Sequence, residues 1–405
     1  MNDMKKNYYA YVGNWNFFPA DKGISCYKFD PENAELELIE TIDPEICAGQ
    51  IWIHPEKPIL YVVNEKGDAD GMMGGGGDVL AYSIDESTGK LTRISSIKSL
   101  CTEPCYVVVD KSRKHLLVSQ HADPFYVTKV VKNEDGSWDN QVIMEDAGLL
   151  LIDLNDDGSI DKIKDVFITE STGNLGPDSR RLVDPVTGHV QLTRVISRQH
   201  SVMPSPSGNF YVVCDKGMDR VYTFGIDEEA GKLKMLDMYV DDWAVFPRYS
   251  TFHPNKPIFY TDNERKCEIH VFSYTEDGKI DLIQKVETLT SEYKGKEYSI
   301  NCRPMGAQDI LAHPNGKAVY CTIEGGDNII AVLSVNEDGT LKLIQNIDCE
   351  GIMPRGICIS PDGRFLLSGN LTSGDITVFA IGEDGTLTYT GRKYDSVSPS
   401  AIRIY

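Results

Sequence analysis

The sequence predicts an all-β chain folded as a seven-bladed β-propeller with four antiparallel strands per blade, on three observations. One short phrase returns roughly every 45 to 60 residues, the spacing of an architecture that repeats one supersecondary unit. Seven hairpins with acidic turns can be counted along the chain. The two ends complement each other, since the first unit lacks a strand that the last residues supply.

Each unit opens with a β-rich run closing on a proline turn, as in IWIHP at 51–55, TFHP at 251–254, ILAHP at 310–314 and ICISP at 357–361. A second run of strand length follows, rich in β-branched and aromatic residues, at 59–63, 210–213, 258–261, 318–322 and 365–368. After a variable loop comes a hairpin whose turn carries acids and, in most units, glycine, exemplified by VLSVNEDGTLKLI at 332–344 and VFAIGEDGTLTYT at 378–390. Four short antiparallel strands per unit make one propeller blade. YYAYVG at 8–13 reads as a second strand with no first strand before it, and SAIRIY at 400–405 as a first strand left over. Pairing the two closes the ring and removes an exposed terminal edge. Residues 1–405 therefore read as a single domain, although 405 residues alone would allow two or three.

Composition narrows the partners. With 61 acidic against 40 basic residues the net charge is −21, which excludes the basic face that nucleic acid or an anionic membrane requires. The N-terminal MNDMKKNYYAYVG has neither an apolar core nor a cleavage site, and no run is long enough to span a bilayer, so a cytoplasmic location is expected. The ten cysteines are scattered, several inside strands where a thiol acts as a small buried hydrophobe. Only Cys101 and Cys105 stand close together, and one such pair is a weak zinc signal.

Four insertions interrupt the repeat, at about 67–77, 122–146, 169–198 and 288–306, and loops on a rigid scaffold are where binding groups collect. The segment DLNDDGSID at 153–161 begins like a calcium loop, but Lys164 stands where a bidentate glutamate is needed, and an acidic hairpin turn is expected there. The glycines at 74–77 lack the following Lys-Ser/Thr of a phosphate loop. His54, His253 and His313 share the proline turn between first and second strands, at the end away from the expected site, and read as structural.

Placed on one template, the second strands terminate in Asn14, Glu65, His121, Asp215, Glu264, Glu324 and Asn370, and the first strands begin near Gln50, His200, Arg248, Gln308 and Arg355. Ring symmetry turns equivalent positions into neighbours around one axis. So many ionisable groups around a small channel are costly to desolvate without a ligand or mutual pairing.

Several stretches resemble the propeller-type lactonases, which include the propeller form of 6-phosphogluconolactonase and the fungal carboxy-cis,cis-muconate lactonising enzyme. YVGNW at 11–15 is similar to that family's YVGTY. HSVMPSPSGNFYVVCDKGMDRV at 200–221 resembles its H-x-H, P-D-G, D-L-G-x-D-R-V stretch, and PRYSTFHPNKPIFYTDNE at 247–264 its R-H, F-H-P-N-G, N-E stretch. MPRGICISPDGRFLLSGN at 353–370 resembles its P-R, P-D-G, A-N stretch. The resemblance implies a catalytic set of His200, Arg248 and Glu264, with Arg198 and Glu324 at further positions of its pattern, and the blade template adds Glu65, His121, Gln308 and Arg355 around the substrate. Three positions depart from the pattern: Arg198 replaces a histidine, Tyr249 replaces a histidine, and Glu324 stands where an arginine is expected. A carboxylate at 324 repels anions and accepts hydrogen bonds from hydroxyls, which favours a neutral or singly charged hydroxylated ligand.

Lactone hydrolysis needs an activated water, a cation facing the developing oxyanion and an acid for the leaving alkoxide. His200 or Glu264 would be the base and Arg248 the electrostatic stabiliser, with no cofactor required. Two alternatives stay open. Glu264 and Glu324 with the histidines could run carbohydrate lyase or isomerase chemistry, metal-free or around a divalent metal held by His121, His200, Glu264 and Glu324. The same fold also serves as a non-catalytic propeller that binds a ligand or protein. The expected partner is a small molecule, a sugar lactone or related cyclic ester.

Overall fold

The computed structural model describes residues 7–15, 23–69, 72–122, 126–169, 181–183, 190–192, 196–242, 245–293, 306–326 and 328–405. Seven four-stranded antiparallel sheets form the blades. Blade 2 runs Ala48–Ile53, Ile59–Asn64, Asp78–Ile84 and Leu91–Lys98, and blade 3 Pro104–Val109, His115–Gln120, Ala147–Leu154 and Ile160–Thr169. Blade 4 comprises Gln199–Pro204, Tyr211–Asp215, Arg220–Asp227 and Lys232–Val240, and blade 5 Pro247–Phe252, Ile258–Asn263, Glu268–Tyr274 and Ile280–Glu287. Blade 6 comprises Gly306–Ala312, Ala318–Glu324, Ile329–Val335 and Leu341–Asp348, and blade 7 Pro354–Ile359, Phe365–Asn370, Asp375–Ile381 and Leu387–Asp395. Blade 1 takes its first strand, Pro399–Ile404, from the C-terminal end and the rest, Tyr8–Asn14, Gly23–Asp30 and Glu35–Ile42, from the N-terminal end. The expected closure is thus present: Ala10 lies opposite Ile404 and Val12 opposite Ile402, and Tyr9 and Tyr405 exchange backbone hydrogen bonds of 3.2 and 2.8 Å.

Burial follows the layering. Second strands such as ILYVVN are buried at every residue, because both faces pack against neighbouring blades, and they read as unbroken apolar runs. Outermost strands such as IDLIQKVE alternate, because one face meets water. The acidic turns have a packing role beyond solubility. Asp157, Asp338 and Asp384 each accept the backbone N–H two residues on, at 2.9 to 3.0 Å, and so fix the turn. That turn offers its glycine carbonyl to the preceding blade: Tyr61 donates to Gly158, Tyr260 to Gly339 and Tyr320 to Gly385, at 2.7, 3.0 and 3.0 Å. These glycines have φ of 86, 89 and 87°, a region closed to most side chains.

Three insertions contain hairpins of their own: Asp68–Ala69 with Met72–Met73, Tyr126–Lys132 with Trp138–Met144, and Arg181–Val183 with Val190–Leu192. Most of the 288–306 insertion, and much of 169–198, lies outside the described residues. The proline-turn histidines are structural: Nδ1 of His54, His253 and His313 each accepts a turn N–H at 3.0 to 3.1 Å.

Every first strand begins with a β-bulge. The register shifts between Ala48 and Gln50, Pro104 and Tyr106, Gln199 and Ser201, Pro247 and Ser250, Ala307 and Asp309, and Pro354 and Gly356. A bulge bends its strand and re-aims a side chain. Here it marks one end of the central channel, where first strands start and second strands finish.

Candidate active site

Pairing registers define which residues are equivalent at this mouth. Ala48, Pro104, Gln199, Pro247, Gly306 and Pro354 lie opposite Asn64, Gln120, Asp215, Asn263, Glu324 and Asn370. The next residue along each first strand is therefore Gly49, Cys105, His200, Arg248, Ala307 and Arg355, and the next beyond each second strand is Glu65, His121, Lys216, Glu264, Gly325 and Leu371. Backbone contacts confirm the second set: Glu65 N donates to Cys47 O, His121 N to Glu103 O, Lys216 N to Arg198 O and Glu264 N to Phe246 O, at 2.7 to 3.0 Å.

This register separates the residues that the sequence placed together. Asn14, Asp215 and Asn370 close turns. Asp215 accepts N–H groups of Arg198, Gly217 and Met218, Asn14 accepts that of Ser398, and Asn370 donates to Asp375 and Thr377. Glu324 occupies the same turn register and is only 4% exposed, yet its carboxylate bears electrostatically on Arg248 and Arg355. Gln50 and Gln308 sit one residue deeper than His200 and Arg248, and both are buried. Lys216, which the one-residue slip hid behind Asp215, faces the mouth.

Arg248 is the pivot. It is 1% exposed, its Nε lies 3.4 Å from Glu264 Oε2, its Nη1 donates to the carbonyl of Gln308, and its guanidinium stands 4.5 Å from the centre of the Tyr249 ring. Burial opposes its charge, but Tyr249, Glu264, Asp262 and Glu324 outweigh that and raise its pKa. Glu264 also receives Lys216 Nζ at 2.7 Å. Burial would favour the neutral acid, but Lys216 and Arg248 hold the Glu264 carboxyl down at about 2.

His200 is buried, with its ring edge-on to Tyr249 at 5.4 Å and to His121 at 5.1 Å. Burial, then Arg248 and Lys216, push its pKa well below the usual imidazole value, so the ring is neutral at pH 7. Its Nδ1 has no hydrogen-bond partner among the described residues. His121 Nδ1 lies 2.9 Å from Glu103 Oε2, and burial nonetheless lowers its pKa to about 4. Glu103, from the segment entering blade 3, gave no signal in the sequence because its blade-equivalents are Cys47, Arg198, Phe246 and Met353, which share no chemistry.

Glu65 lies across the mouth. Its carboxylate presses on Gly49, where a Cβ would collide with Oε2. Burial raises its pKa to about 7 even though Arg355 pulls the other way. Arg355 stacks 4.0 Å over Trp15, and burial and then Arg248 depress its pKa. Arg198 contributes its carbonyl to Lys216, and its charge is felt by Lys216 and His121. Deeper in the channel Tyr106 meets Tyr249 edge-on at 5.1 Å and hydrogen-bonds Arg403, which faces Asp309; burial lifts Asp309 to about 6. Among the described residues no group of three or more His, Cys, Asp or Glu is disposed to hold a metal ion, so His121, His200, Glu264 and Glu324 do not converge as a ligand set.

The profile of a family described as a seven-bladed β-propeller lactonase matches residues 9–404. The chain belongs to that lactonase family. It is similar to a 6-phosphogluconolactonase of Formosa agariphila, 24% identical over 91% of each chain, and to one of Bacillus subtilis, 26% identical over 92% of this chain and 90% of the other. In architecture it resembles the periplasmic gluconolactonase PpgL of Pseudomonas aeruginosa, with a TM-score of 0.79, 21% identity and coverage of 98% and 99%. Membership makes this a lactonase-like hydrolase, and favours that reading over the lyase, isomerase and non-catalytic alternatives. No helix among the described residues of this lactonase-family chain is long and apolar enough to cross a membrane.

Proposed function

We propose that the channel mouth hydrolyses a sugar-derived lactone of the gluconolactone type, with His200, Arg248 and Glu264 as its core. The observation that carries this reading is the convergence of a neutral imidazole, a buried guanidinium and a carboxylate from blades 4 and 5, with Arg248 3.4 Å from Glu264. The lactonase relatives supply the substrate class.

Roles follow from electrostatics. Arg248 faces the oxyanion that forms as water adds to the carbonyl carbon, in a site dry enough for one positioned charge to matter. Glu264, held near 2, is too weak a base to take a proton from water at neutral pH; it orients Arg248 and Lys216. His200 Nδ1 positions the attacking water. Glu65, near 7, has the acidity suited to taking the proton from that water and passing it to the leaving alkoxide. These steps use side chains alone and need no metal. The reading takes a small sugar lactone as substrate and a cytoplasmic setting.

The test is proton release from gluconolactone and its 6-phosphate under a pH-stat, beyond their spontaneous opening. Below pH 7 Glu65 is protonated and cannot accept a proton, so kcat/KM is expected to rise with pH through about 7 and then level off. Glu65→Gln should remove that limb along with most of the rate. A folded protein that hydrolyses no sugar lactone overturns the reading, and a rising limb that survives Glu65→Gln reassigns the base.

A further inference from the structure

Lys216 departs from the resembling stretch, in which the residue after the aspartate is leucine, and the blade register turns it toward the mouth beside Glu264. Its side chain is 13% exposed. An ammonium has three N–H groups, and among the described residues Glu264 is its hydrogen-bond partner, which engages one of them. That carboxylate is shared: Arg248 also leans on Glu264, while Asp262 and Glu324 bear on Arg248 as well. The consequence shows in the neighbours. Burial, then Arg248 and Arg198 against the pull of Glu264, depress the Lys216 ammonium, and Lys216 in turn helps to keep His121 and His200 uncharged. The mouth therefore has two unlike sides. The mouth-facing positions of blades 4 and 5 carry Lys216, Arg248 and Glu264, whereas Glu65 and Glu324 stand on blades 2 and 6, each two places from blade 4 around the ring.

We propose that Lys216 is the specificity-determining residue of this mouth and holds an anionic substituent, phosphate or carboxylate, of the lactone substrate. It rests on the lactonase reading for the identity of the reacting group, and on geometry alone for the anion. An incoming oxyanion takes up the N–H groups of Lys216 that Glu264 leaves unused. The sugar hydroxyls then face the Glu65 carboxylate across the mouth. Glu324 stands on blade 6, two places from Lys216, and disfavours the anion there rather than at Lys216. Arg248 keeps its own task at the developing oxyanion, with Nη1 held by the Gln308 carbonyl, which leaves the remote anion to Lys216.

The experiment compares the wild type with Lys216→Met, which keeps the length and removes the charge, and Lys216→Arg, which keeps the charge. kcat/KM is measured for gluconolactone, 6-phosphogluconolactone and glucarolactone. Titration calorimetry with glucitol and glucitol 6-phosphate, which the reading does not expect to be hydrolysed, reports anion binding apart from catalysis. Lys216→Met is expected to lower the preference for an anionic over the neutral lactone by about ten- to a hundredfold, the worth of a charge-assisted hydrogen bond. Glucitol 6-phosphate should lose affinity by a similar factor and glucitol should not, with Lys216→Arg restoring much of the difference. The larger of the losses on the phosphate and on the carboxylate lactone names the natural anion. An equal slowing of all three lactones overturns the proposal and leaves Lys216 as a prop for Glu264, as does a wild type that binds both glucitols alike. Binding of glucitol 6-phosphate through Lys216 with no lactone hydrolysis sustains the anion site and overturns the lactonase reading instead.

Discussion

Arg248→Ala and Glu264→Gln are each expected to lower kcat for lactone hydrolysis by about a hundredfold or more while the propeller remains folded. Both changes act on charge at the reacting centre. Without Arg248 the developing oxyanion loses the guanidinium and meets the neutral His200 ring, with the Lys216 charge engaged by Glu264. Without the Glu264 charge, Lys216 and Arg248 face each other across 2.7 and 3.4 Å contacts to a neutral amide, and their repulsion moves the guanidinium off its aim. The ion pair lies at the channel mouth and meets the apolar core at Tyr249, so some stability is lost with Arg248, but melting temperature should fall far less than activity. Steady-state kinetics on the preferred lactone, with thermal melts of the same samples, check this. Full activity in both variants would remove the pair from the mechanism.

Deleting residues 400–405 is expected to prevent cooperative folding altogether. Ala401 and Ile402 are buried, at 1% and 0% exposure, and the strand completes blade 1 through the exchange between Tyr9 and Tyr405. Losing about 2 to 3 kcal/mol for Ile402 and about 1 kcal/mol for each of several backbone hydrogen bonds removes an amount comparable with the whole stability of a typical domain, about 5 to 15 kcal/mol. The strand Tyr8–Asn14 would also be left as an open edge able to pair with other chains. Circular dichroism melts and size-exclusion chromatography read both effects. A monomer with an unchanged melting curve would show that closure contributes little.

The sequence by itself determined the repeat, the number of blades and the way the ends meet, because each of these is a local or periodic property. A proline turn, a buried four- to six-residue run and an Asp-Gly hairpin carry their geometry in their own residues. Seven copies in order leave few ways to bury the strands. His200, Arg248 and Glu264 were legible through the motifs that contain them. The tertiary structure decided the remainder of the site, for two physical reasons. Side chains alternate with period two along a strand, so a slip of one residue exchanges the channel face for the blade interior. Such a slip put Asp215 in the place of Lys216, and the bulge at every first-strand start, which no residue type marks, set Gln50 and Gln308 deeper than His200 and Arg248. The charge states were equally invisible in the sequence. Glu65 near 7 and Glu264 near 2 are both glutamates following an asparagine at the end of a second strand. What separates them is the distance through space to Lys216 and Arg248, which exists only once the ring has closed.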